Sequence, residues 1–148
     1  MTPESYAALL AAANNEFDKL NKNQAMISAG FGSGNLDYIK RMIDSLGGIF
    51  PADGVAYHPY IPDPGRAGSL AEVINGIKAL YSLTGRPVWI TEFGWETADE
   101  KAQAAWVGAV FSLLQNNETK SLLQTVMWYA YSDAQKPGFG LYKLDGTG

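Results

Sequence analysis

Cysteine is absent from these 148 residues, and histidine occurs once, at His58. The first absence removes disulfides, thiolate metal sites and cysteine nucleophiles, and it leaves the redox compartment open. The second argues against a histidine-rich metal site, and no cofactor is expected. Charge is scarce: 18% of residues are Asp, Glu, Lys or Arg, their balance is −4, and no Lys/Arg-rich run occurs. Neither nucleic acid nor an anionic membrane is the partner such a chain is built for. The opening stretch MTPESYAALLAAA has no basic region, and its short apolar part is amphipathic. Neither a signal peptide nor a transmembrane span is expected.

Apolar residues make up 47% of the chain and aromatic ones 12%, including four Trp and eight Tyr. That is enough for one globular domain with a real core, and the aromatic share suits a sugar or another flat ligand as well as a core. Four apolar runs recur about every thirty residues: QAMISAG (24–30), GVAYHPY (54–60), PVWITEF (87–93) and QTVMWYAY (124–131). They are continuous rather than alternating, as in parallel strands buried on both faces. Helical stretches separate them. Thr2-Pro3 opens one with Tyr6, Leu9, Leu10, Ala13, Phe17 and Leu20 on one face. Asn35 caps a second, which Gly47-Gly48 closes. Ser69 with Glu72, and Thr97 with Glu100, read as capping boxes for two more. The order is α-β-α-β-α-β-α-β, an α/β chain of parallel strands, followed by the Gly-rich stretch SDAQKPGFGLYKLDGTG.

In barrels of such units, chemistry gathers where strands end and βα loops begin. Those ends carry Ser28 to Phe31, then His58 and Tyr60, then Glu92 and Trp95, then Trp128, Tyr131 and Asp133. Glu92 is a lone carboxylate at the mouth of an apolar strand, walled by aromatics. Asp133 is equally a turn residue, given the Gly and Pro that follow it.

DGVAYHPY, RPVWITEFGW and MWYAYSD…FGLY resemble strands six, seven and eight of the clan A glycoside hydrolases, which are retaining (β/α)8-barrel enzymes. The resemblance implies that Glu92 is the nucleophile, that His58 and Tyr60 line the adjacent rim, and that Trp128 is a platform under the sugar. Carbohydrate is the implied ligand, with Trp95 and Asp133 on the same rim. Retaining chemistry needs a second, protonated carboxyl about 5–5.5 Å from the first. In the resembled families it follows an asparagine at the end of strand four. The Asn15-Glu16 pair does not qualify, because it lies within a continuous helical pattern with no strand before it.

Residues 1–148 therefore read as one half of a TIM barrel, from helix four to strand eight, without the acid/base. Two such halves supply eight strands and eight helices, so a homodimer is expected. A non-catalytic carbohydrate-binding half-barrel, and a fragment needing a separate N-terminal half, are the alternatives.

Overall fold

The computed structural model describes residues 1–20, 24–33 and 35–143. Its elements are α1 (Pro3–Leu20), β1 (Phe31–Gly32), α2 (Leu36–Ser45), β2 (Val55–His58), α3 (Ser69–Thr84), β3 (Val88–Phe93), α4 (Glu100–Phe111) with a 3-10 turn at Ser112–Leu114, and β4 (Leu123–Trp128). The strands lie in the order β1-β2-β3-β4, and every neighbouring pair is parallel. This is the expected α/β half-barrel. None of the described helices is long and apolar enough to cross a membrane.

The convex face of the sheet meets the helices. Val55 and Tyr57, Val88 and Ile90, and Leu123 and Val126 point there, against Ile39, Met42, Val73, Ile77 and Val110. Tyr57 reaches α3 because position 76 is glycine: a Cβ there would overlap its hydroxyl. Burial on both faces, the pattern expected of these strands, holds for β2 until His58 but not for β3 and β4. Their concave-side residues Trp89, Thr91 and Met127 stay partly open.

The first strand differs most from its expected span of 24–30. Ile27 bridges Gly54, but the paired residues of β1 are Phe31 and Gly32, opposite Tyr57 and His58. The segment between holds one residue more than its partner. There the Ser28 hydroxyl, in place of a backbone carbonyl, accepts from Ala56 N at 3.1 Å.

The helix boundaries are set by other residues than the two expected capping boxes. Gly68, left-handed at φ 92°, precedes α3, while the Ser69 hydroxyl donates to Asp63 O and Glu72 pairs with Arg66. Asp99 caps α4 by accepting from Ala102 N at 3.0 Å, and Thr97 instead accepts from Asp99 N. Asn35 stands before α2 without a side-chain cap, and Gly47-Gly48 closes that helix, with Gly48 N donating to Ile43 O. Thr2 accepts from Ser5 N as a cap should. On α1 the buried residues are Pro3, Ala7 and Leu10; Leu9, expected on the same inward face, is 55% exposed. Residues 144–148 of the Gly-rich stretch lie outside the described residues.

Candidate active site

The C-terminal ends of β2 and β3 converge on one cluster. His58 ends β2 on the concave face, and Pro59 follows within a tight turn in which Tyr60 N donates to His58 O at 2.9 Å. Proline's fixed φ suits the centre of such a three-residue turn. The turn brings Tyr60 over β3, where its hydroxyl donates to Glu92 Oε1.

Glu92 owes its aim to an irregularity. Ile90 pairs with Val126 and Phe93 with Trp128, so Thr91 and Glu92 together face the single Met127. A bulge of this kind turns a side chain out of the strict alternation, and here both residues reach the His58 side. The His58 ring takes both: Nε2 stands 3.0 Å from Thr91 Oγ1, and Nδ1 lies 3.7 Å from Glu92 Oε2. Position 30 must be glycine for that ring to lie where it does, since a Cβ there would fall inside the imidazole. The Tyr60 phenol is held well above its ordinary range, first by burial and then by its hydrogen bond to Glu92, with the charge of Glu92 and the nearby Tyr129 adding to the effect.

The remaining expected site residues sit elsewhere on the rim. Trp128 turns to the convex side: its ring meets Phe93 edge to face at 5.0 Å, and Phe93 in turn meets Phe111 of α4. Its Nε1 donates to Phe139 O at 3.0 Å. The next residue, Tyr129, is the one beside Tyr60. Its ring packs against Phe139 at 6.2 Å, and Phe139 packs against Tyr60 at 6.4 Å, so three aromatic rings wall the Glu92 cluster. Tyr129 and Phe139 are not among the site residues that the sequence singles out; Trp128 is the one expected there. Trp95 lies with its ring beside Gly65, in a hollow of about 430 Å³ between α3 and α4 that Leu70 and Trp106 also line. Asp133 stitches its own loop: Oδ1 accepts from Gly140 N at 2.9 Å, and its N donates to Tyr142 O. Asn15 and Glu16 lie inside α1, exposed, with Glu16 paired to Lys19.

A family model described as glycosyl hydrolase catalytic core matches residues 1–144. No curated protein matches the chain. Among solved structures, a mutant of the GH128 (subgroup I) endo-beta-1,3-glucanase from Amycolatopsis mediterranei aligns with TM-score 0.73 and 19% identity, over 96% of this chain and 59% of that one. The subgroup II endo-beta-1,3-glucanase from Sorangium cellulosum gives 0.69 and 19%, over 96% and 59%. The subgroup III curdlan-specific exo-beta-1,3-glucanase from Blastomyces gilchristii, in complex with glucose, gives 0.69 and 23%, over 87% and 54%. The chain thus spans between 54% and 59% of these solved structures.

Proposed function

The chain belongs to the glycosyl hydrolase catalytic core family, and from that premise we propose that it supplies the nucleophile half of a retaining glycosidase acting on β-linked glucan. The observation that carries this reading is the Tyr60 hydroxyl on Glu92 Oε1, at the mouth of β3. Glu92 attacks the anomeric carbon, and the glycosyl–carboxylate bond forms as the glycosidic bond breaks; water then releases the sugar. The hydrogen bond from Tyr60 holds one oxygen of the Glu92 carboxylate in place at the strand mouth. His58, bonded to Thr91, fixes the second wall. β-1,3-Glucan is the substrate class to test first, because endo- and exo-acting β-1,3-glucanases share the fold.

The general acid has to stand about 5–5.5 Å from Glu92. Asp133 accepts a backbone hydrogen bond within its own loop. The four described strands are therefore read as carrying the nucleophile without its acid, and two copies of the chain as closing an eight-stranded barrel. In such a dimer the two Glu92 residues stand on opposite sides of the mouth, too far apart to act as each other's acid.

The test is a 2,4-dinitrophenyl 2-deoxy-2-fluoro-β-glucoside, whose leaving group departs without protonation. Intact mass is expected to rise by one fluoroglucosyl unit, mapped to the peptide containing Glu92 and absent in Glu92→Gln. Labelling elsewhere, or none at all, overturns the nucleophile reading; laminarioligosaccharide binding without labelling would assign the chain to non-catalytic carbohydrate binding.

A further inference from the structure

The loop after β4 is fastened to the loop after β3 at one buried amide. Gln103, on the first turn of α4 and 8% exposed, donates from Nε2 to Trp95 O and to Gly138 O, both at 3.1 Å. Gly138 O also accepts from Thr97 N at 3.1 Å, so one carbonyl of the β4 loop is gripped twice by the segment that leaves Glu92. Gly138 takes φ +76°, a left-handed conformation that glycine adopts without strain. The next residue is Phe139. Its carbonyl accepts from Trp128 Nε1, and its ring stands edge-on to both Tyr60 and Tyr129. Gly94 leaves room for this approach: a Cβ there would meet the Phe139 ring and the Tyr129 carbonyl.

We infer that Phe139 is a positioning residue that holds the Tyr60 ring with its hydroxyl on Glu92, and that Gln103 acts through it by pinning the loop that carries it. A phenol on an exposed loop after a proline turn has two free torsions, and only a neighbouring wall sets where its oxygen points. Phe139 is that wall, since its ring meets the Tyr60 ring edge to face at 6.4 Å. Gln103 touches neither Tyr60 nor Glu92, yet both its amide hydrogens go to the two loops whose spacing sets the Phe139–Tyr60 contact. The inference rests on the nucleophile reading for its catalytic meaning, and not for its geometry.

The titratable groups around Tyr60 are Glu92 on β3, His58 at the end of β2 and Tyr129 beyond β4, while Lys136 Nζ lies 5.6 Å from the centre of the Phe139 ring. The experiment follows the Tyr60 phenol at neutral pH by the 13Cζ chemical shift of tyrosine-labelled protein, its signal assigned by loss in Tyr60→Phe, beside the rate of fluoroglucosyl labelling. In the native chain Glu92→Gln is expected to move that signal, because the hydroxyl rests on the carboxylate. Phe139→Ala is expected to abolish this response of Tyr60 to Glu92→Gln and to slow labelling roughly tenfold or more, as a misplaced donor should. Gln103→Leu, matched in shape but without donors, should move both readouts the same way. Phe139→Tyr, which keeps the ring, should restore both. If Phe139→Ala does not fold, Phe139→Leu takes its place, with the same loss of response expected. A Tyr60 signal that still responds to Glu92→Gln in both the Phe139 and Gln103 variants overturns the inference. Failure of the native chain to label sinks only the nucleophile reading and leaves the chemical-shift arm standing.

Discussion

Gly30 determines the site by what it lacks. A methyl at this position would fall inside the His58 ring, so Gly30→Ala must push the imidazole off Thr91. The expected result is a loss of roughly 1–3 kcal/mol in urea denaturation from overpacking, together with slower labelling of Glu92. A variant as stable and as reactive as the native chain would show that the ring relaxes freely. Tyrosines give a second residue-scale expectation. Burial raises the phenols of Tyr6, Tyr57 and Tyr60, and the bond to Glu92 adds to the effect at Tyr60. The folded chain keeps these protons to higher pH than the unfolded chain, whose tyrosines titrate near 10. Their contribution is thus complete below about pH 10 and is lost above it, where the unfolded state holds fewer protons. The urea midpoint should fall above that pH, and Tyr57→Phe should flatten the fall. At this scale the sequence shows Glu92, His58 and Tyr60 as neighbours on a strand-end rim, because each follows an apolar run. The exchange of Tyr129 for Trp128 beside that cluster was not legible. It turns on strand parity, and the bulge at Thr91–Glu92 makes parity unreadable from spacing alone.

Elements were legible where hydrophobic periodicity alone decides them, as in the four helices and in β2 to β4. The first strand was not, because QAMISAG has the composition of a strand and the hydrogen bonding of a bulged edge. Ser28→Ala would strand the buried Ala56 N–H, at a cost of about 1–3 kcal/mol, measurable by urea denaturation. Helix caps misled for a related reason. Ser69 and Thr97 each have a polar partner within reach that is not the helix they precede, respectively Asp63 O and Asp99 N. Asp99 takes the capping role for α4, and Asp99→Ala should lower stability by about 1 kcal/mol, whereas Thr97→Ala should cost less.

On the scale of the whole molecule, the concave face is the unfinished part. Met127 is 47% exposed, and Trp89 Nε1 is buried without a hydrogen-bond partner among the described residues. The sheet has β1 at one edge and β4 at the other, both with ladder groups facing outward. An eight-stranded barrel closes both edges and fills the interior with side chains from alternate strands. Two copies of this chain related by a two-fold axis would supply those strands, and Leu9 on α1, 55% exposed, would offer apolar surface for the seam. The interface should be of obligate size, more than about 2,000 Å² in total, because it must cover two edges and a core face. Light scattering at micromolar concentration should therefore return twice the mass of the chain. Met127→Lys, which places a charge on that concave face, should aggregate or unfold the protein rather than release a stable monomer, because the exposed face has no other cover. Met26, by contrast, packs against the helix-side core. A well-behaved monomer of the native sequence would sink the dimer. The complementary four strands would then belong to a different polypeptide segment, and the search for the general acid would move there.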